Sequence, residues 1–351
     1  MGKRLRTWWA IPAGLALAGA LLLGGLPATA QPGGPAIAEH PDGDNPPRPL
    51  RAYPGGIVTT PDVVYRTLAG YRPLKLDVYA HAGATRKRRL PLILFVHGGG
   101  WSVGNARASG AFADFPAALA GLARQGYVVA SMDYRLSGEA PFPGALKDVK
   151  SAVQYLRGAA PQYGIDPERV VVWGASAGGQ LAALAGTTCG EAVFAPDPER
   201  RLGKPASTGP AQSDCVQGVV AWYGIFDFAE LHAASPSGPL ADLTATFLGC
   251  TGWCADKGRE ASPTSYVDRS DPPMLLIHGL ADTLVPSAQT DRMACELRAA
   301  GVPVETAFIP GVNHGFNGKT LAETRAATLE ALRVTTAFIR RTVGSDGARP
   351  R

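Results

Sequence analysis

The chain has 351 residues, 46% of them hydrophobic and 18% charged, with a formal net charge of +5. This balance excludes a disordered or collagen-like chain and allows one large core. Residues 1–30 carry three basic groups (Lys3, Arg4, Arg6) and no acid, which leaves 31 basic against 29 acidic groups, too even for a nucleic-acid-binding surface.

The first segment reads as an export signal. A basic head precedes the mostly apolar stretch 8–26, and Ala28-Thr29-Ala30 is an A-x-A cleavage pattern. Cleavage after Ala30 is expected, giving a secreted or cell-envelope-associated protein without stable membrane insertion. Residues 11–28 are nearly long enough to span a bilayer, so a retained anchor is the alternative. The small-residue site and the Pro/Gly-rich segment after it favour removal. Residues 31–62 are expected to be a flexible leader, 63–342 a folded α/β domain and 343–351 a C-terminal tail.

Within the domain, residues 74–80 alternate apolar and polar, as in an antiparallel strand. Residues 90–98 form a continuous apolar run, as in a strand buried on both faces. Helical spacing over 111–124 then precedes a strand at 127–133, and a helix over 145–157 precedes a strand at 169–174. A helix over 177–185 and strands at 216–224 and 273–279 follow. A helix over 287–300, a strand at 302–310 and a closing helix over 321–341 complete the pattern. This alternation predicts a mostly parallel, doubly wound sheet with helices on both faces. Residues 186–213 and 226–271 interrupt the rhythm and are candidates to lie over a site. The basic run Arg86-Lys87-Arg88-Arg89 reads as a solvated turn before a strand.

Five cysteines follow the signal, and disulfides are expected in an exported protein. Their spacing suits no zinc site, and no metal is expected. Cys250 and Cys254 flank "TGW" and can close a tight loop. Cys189 and Cys215 bracket a long polar segment that a bridge would tether. Both bridges are expected near the mouth of the site, with Cys295 left reduced and buried.

In such a sheet, ligands bind beyond the carboxyl ends of the strands. There stands "GASAG", a G-x-S-x-G between a strand and a helix, with Ser176 on the sharp turn. A serine hydroxyl needs a base, and "GVNHGF" places His314 just after the last strand. His278 lies inside a strand pattern and is expected to be a core or supporting residue. The imidazole needs a carboxylate to fix its tautomer. Asp282 follows a strand directly, whereas Asp268 and Asp271 precede it, at the wrong end. Earlier, "HGGGW" follows the 90–98 strand. Backbone N–H groups of Gly99, Gly100 and Ala177 are the expected donors to an oxyanion. His97 is expected to anchor that loop rather than react.

The motifs "HGGGW", "DYRL", "GASAGG", "HGLADTLVP" and "PGVNHGF", in this order, resemble α/β-hydrolases of the hormone-sensitive-lipase-like group. The segment 261–279 is especially similar to secreted bacterial carbohydrate-esterase or feruloyl-esterase-like members. The resemblance spans about 63–341. It implies an α/β-hydrolase fold with an eight-stranded sheet, a Ser176–Asp282–His314 triad, no cofactor, and supporting roles for His97, Trp101 and Tyr134. Residues 31–62 show no helical period, so no N-terminal cap domain and an open site are expected. The implied activity is that of a serine carboxylester hydrolase on short-chain, carbohydrate-linked or phenolic esters. The alternatives are a serine exopeptidase on the same fold and a non-catalytic, hydrolase-like binding protein. The sequence leaves the oligomeric state open.

Overall fold

The computed structural model of the chain describes residues 51–83, 89–110, 112–199 and 212–345. The expected export signal, most of the leader, most of the basic run and the end of the tail lie outside them.

Three strands open the described chain: β1 (Arg51–Tyr53), β2 (Ile57–Arg66) and β3 (Leu74–His81). Then come β4 (Leu90–Val96), α1 (Phe115–Ala123), β5 (Val128–Met132), α2 (Gly144–Gly158), α3 (Ala160–Tyr163), β6 (Ile165–Ala175) and α4 (Ala177–Thr187). After β7 (Gly218–Trp222) three helices are inserted: α5 (Phe228–Ala234), α6 (Pro239–Leu248) and α7 (Ala255–Ala261). The chain closes with β8 (Met274–Gly279), α8 (Ala288–Ala299), β9 (Val304–Ile309) and α9 (Leu321–Val343).

One sheet holds these strands in the order β1-β2-β3-β5-β4-β6-β7-β8-β9. Pairs from β1 to β5 along this order are antiparallel, and all pairs beyond β5 are parallel. The fold is that of the α/β-hydrolases, with nine strands where eight are expected. The added strand is β1, and the sheet begins at Arg51, inside the segment expected to be a flexible leader.

Side-chain alternation along β4 explains the two helical layers. Leu92, Leu94 and Val96 pack with α2, α4 and α8, through residues such as Leu146, Leu181 and Met293. Ile93 and Phe95 point the other way, into a cluster with Phe115 and Leu119 of α1 and Ala331 and Phe338 of α9. The start of α9 is fixed by a capping box in which Thr320 and Glu323 bond reciprocally to each other's backbone N–H.

The chain steps from β4 outward to β5 and then crosses back to β6 on the other side of β4. Connections leave β4 and β6 in opposite directions, which opens a crevice at the carboxyl ends of these two strands. Helix α4 runs unusually close to that junction. A Cβ on Gly174 would lie 2.0 Å from the Gly178 carbonyl oxygen, and one on Gly178 would lie 2.1 Å from that of Val96.

Both expected disulfides are present, Cys189–Cys215 and Cys250–Cys254. The second joins the end of α6 to the start of α7. The first lies past the C-terminus of α4 and before the N-terminus of β7, hence at the amino end of the strands and not at the crevice. There Lys150, fully buried on α2, donates to the Thr188 carbonyl and the Asp214 carboxylate, one residue from each cysteine. Cys295 is free as expected but exposed rather than buried. The buried stripe of α8 is Gln289, Thr290, Met293, Ala294 and Leu297, a helical phase that turns position 295 outward.

The close approach at Gly178 makes a direct prediction. Gly178→Ala must displace the backbone of β4 or α4, at a cost of about 3 kcal/mol or more. Urea unfolding measures it, and an unchanged midpoint would show that the junction is not as tight as described.

Candidate active site

Ser176 sits at the turn from β6 to α4 with φ 56° and ψ −120°, a left-handed conformation strained for a residue with a side chain. Its amide donates to the Trp222 carbonyl at the end of β7, 2.8 Å away. The turn carries the Ser176 hydroxyl above the N-terminus of α4 and into the crevice.

His314 arrives on the loop after β9, and Asp282 on the loop after β8. His314 Nε2 lies 2.9 Å from Ser176 Oγ, and its Nδ1 lies 2.8 Å from Asp282 Oδ2. The carboxylate can only accept, so Nδ1 carries the hydrogen and Nε2 is left to accept from the serine hydroxyl. Asp282 Oδ1 accepts from the amides of Leu284 and Val285, at 3.0 and 2.9 Å. Burial by itself raises the Asp282 carboxyl, yet hydrogen bonds from His278 and His314 hold it well below the usual carboxylate range.

His278 is fully buried behind this pair, not facing the crevice. Its Nε2 lies 2.9 Å from the Val285 carbonyl and 3.3 Å from Asp282 Oδ2, and its Nδ1 lies 2.8 Å from Thr290 Oγ1. Both neighbours of Nε2 only accept, so that nitrogen carries a hydrogen and the Thr290 hydroxyl donates to Nδ1. Asp268 and Asp271 precede β8, at the far end of the strand from Ser176.

The glycine loop follows β4. Gly99 has φ 114°, and a Cβ there would lie 2.1 Å from the Val103 carbonyl oxygen. That carbonyl approach and that backbone angle leave only glycine. Among the described residues, the amides of Gly99, Gly100 and Ala177 have no protein acceptor, so three N–H groups remain near Ser176. His97 Nδ1 donates to the Gly98 carbonyl at 2.7 Å, and its ring stacks on Tyr134 at 4.2 Å. Burial pulls the His97 imidazole down to about 4, against the pull of its bond to Gly98. The Tyr134 hydroxyl donates to the His97 carbonyl at 3.1 Å. Trp101 is buried, donates through Nε1 to Gln180 Oε1 at 3.0 Å, and stacks on Phe247 of α6. These three residues brace the loop, and Trp101 also forms part of the wall of the cavity that contains Ser176.

The crevice opens into a cavity of about 530 Å³ containing Ser176, His314 and Gly98–Gly100 in its wall. Ile225, Leu240, Leu243, Leu284 and Val285 give it an apolar side. Leu240 and Leu243 come from α6, so of the two irregular segments, 226–271 reaches the site. The described part of 186–213 does not line this cavity. The cover therefore comes from an insertion after β7. Tyr223, also in the wall, was not singled out from sequence. It stands directly after β7, at a carboxyl strand end, and the same rule that selected the other positions selects it. Leu240 and Leu243 carry no such signal.

Fold and site geometry define an α/β-hydrolase. The BD-FAE family profile matches residues 76–297, and the chain belongs to this family. Esterase LipQ of Mycobacterium tuberculosis is 30% identical over 274 residues, covering 77% of this chain; the chain spans 60% of that relative's length. A truncated carbohydrate esterase from gut microbiota superposes with a TM-score of 0.58 at 27% identity, over 78% of this chain and 96% of its own. An acetyl ester-xyloside bifunctional hydrolase from Caldicellulosiruptor lactoaceticus gives 0.60 at 25% identity, over 78% and 89% respectively.

The geometry fixes the sign of a pH effect. Only a His314 Nε2 without a proton can accept from Ser176, so if this pair carries the proposed chemistry, kcat/KM for an ester should fall on acidification. A rate that rises on acidification would contradict a histidine base.

Proposed function

We propose that the chain is a serine ester hydrolase acting through an acyl-enzyme on Ser176. The observation that carries this is the Ser176 Oγ–His314 Nε2 distance of 2.9 Å, with Nδ1 committed to Asp282. Ser176 Oγ attacks the ester carbon while His314 takes its proton. The carbonyl oxygen becomes negative and is met by the amides of Gly99, Gly100 and Ala177. His314 then returns the proton to the leaving alcohol, and the C–O bond breaks. Water, deprotonated by His314, attacks the acyl-serine, and collapse of the second intermediate frees the acid and restores the serine. Asp282 orients the imidazole and stabilises its charge in both halves.

A cavity of about 530 Å³ suits a small ester. Its apolar side fits a short acyl chain, and relatives named as a carbohydrate esterase and an acetyl ester-xyloside hydrolase support an ester on a sugar or phenolic alcohol. Export follows from the signal read in residues 1–30, and two disulfides support an oxidising compartment. No helix among the described residues is long and apolar enough to cross a membrane.

A fluorophosphonate probe should label the wild type once. Ser176→Ala should lose the label and about 10⁶-fold in turnover, while acetyl esters are cleaved in preference to long-chain esters. A labelled Ser176→Ala variant would refute the nucleophile. An unlabelled wild type would favour a binding protein, and cleavage of peptide amides alone would favour the exopeptidase.

A further inference from the structure

Tyr223 is 4% exposed, yet it forms part of the cavity wall. Its φ is 38°, a strained value for an aromatic residue, fixed in place by its amide's bond to the Ile277 carbonyl at 2.7 Å. The ring is gripped edge-on by His314 at 4.9 Å and Phe316 at 4.7 Å. Its hydroxyl has no hydrogen-bond partner among the described residues, and its oxygen is not among the buried atoms left without one. The ring is buried while the hydroxyl opens into the cavity, free to bond to whatever occupies it.

The hydroxyl sits at one identifiable part of the cavity. A Cβ on Gly110 would lie 3.6 Å from Tyr223 Oη and 3.9 Å from the Gly315 carbonyl oxygen. Gly110 and Gly315 both line the cavity, and Gly315 follows His314. Proton return from His314 Nε2 requires the alcohol portion of the ester to lie over the imidazole. The Tyr223 hydroxyl therefore stands on the alcohol side, on the stretch of wall that Gly110 and Gly315 also form. Burial, reinforced by the Asp282 charge, pushes this phenol above its ordinary range, so it remains a donor at any working pH.

We infer that Tyr223 is a specificity-determining residue whose hydroxyl hydrogen-bonds a hydroxyl on the alcohol portion of the substrate, selecting esters of polyhydroxylated alcohols. This rests on the ester-hydrolase reading and narrows it. The acyl chain contacts the apolar wall of Ile225 and Leu243, while the sugar-like alcohol meets Tyr223 and the backbone at Gly110 and Gly315.

The test compares two esters that share one ring size, a mono-O-acetylated methyl xyloside and cyclohexyl acetate. The wild type should favour the xyloside in kcat/KM. Tyr223→Phe keeps the ring against His314 and removes only the hydroxyl, so the ratio of the two kcat/KM values should fall about tenfold. A ratio equal to the wild type's overturns the inference, because an effect transmitted through His314 lowers both substrates alike. If the wild type cleaves neither ester and a fluorophosphonate leaves Ser176 unlabelled, the hydrolase reading fails and this inference with it. If Ser176 is labelled, both esters are cleaved and the ratio stays fixed, only the role of Tyr223 falls.

Discussion

A carbonyl oxygen of β4 lies 2.1 Å from where a side chain on Gly178 would begin, and the rest of the site follows from that contact. Because Gly174 and Gly178 lack side chains, α4 can start directly over the ends of β4 and β6. That forces the intervening turn at Ser176 into φ 56° and lifts its hydroxyl out of the sheet. It also sets the first amide of α4 next to the glycine loop after β4. The positions of the proposed nucleophile and of the proposed oxyanion donors are thus consequences of one backbone approach, not separate features.

Strain gathers where the chemistry is proposed. Of the five non-glycine residues with positive φ among the described residues, Trp101, Ser176 and Tyr223 line the cavity and Phe316 packs on Tyr223, while the fifth, Asp62, lies apart on β2. Such conformations persist only when surrounding packing over-determines them. Here the packing is aromatic: Trp101 on Phe247, Tyr223 and Phe316 on each other, and Phe316 on Trp222. The buried Asp282 carboxylate obeys the same logic. Its charge is tolerable because two amides and two imidazoles converge on its two oxygens, and the fourth of these, His278, is fixed by Thr290 and Val285.

Sequence exposed those parts in which one residue type has one physical use. Three consecutive glycines after an apolar strand, a serine between glycines at a strand–helix junction, and an acid and a histidine after late strands all stand where the structure puts them. The start of the sheet was hidden because β2 contains Pro61 and a register shift between Thr60 and Val63, which breaks the two-residue alternation. Cysteine's usual burial favours an inward Cys295, but the helical phase of α8 turns it outward. Loop length says nothing about which end of the strands a segment occupies, so the Cys189–Cys215 bridge lies at their amino end and not at the mouth expected of it. Leu240 and Leu243 enter the cavity through an inserted helix, a tertiary placement that no local pattern encodes.

We propose that one turn aligns the Ser176 hydroxyl with its base, His314, and with the amides of Gly99, Gly100 and Ala177. The most direct test is a crystal structure of the protein after reaction with a phosphonate that mimics the tetrahedral intermediate. Phosphorus should be bonded to Ser176 Oγ, with the phosphoryl oxygen about 3 Å from the amide nitrogens of Gly99, Gly100 and Ala177. An adduct on another residue, or a phosphoryl oxygen turned away from those amides into solvent, would contradict it.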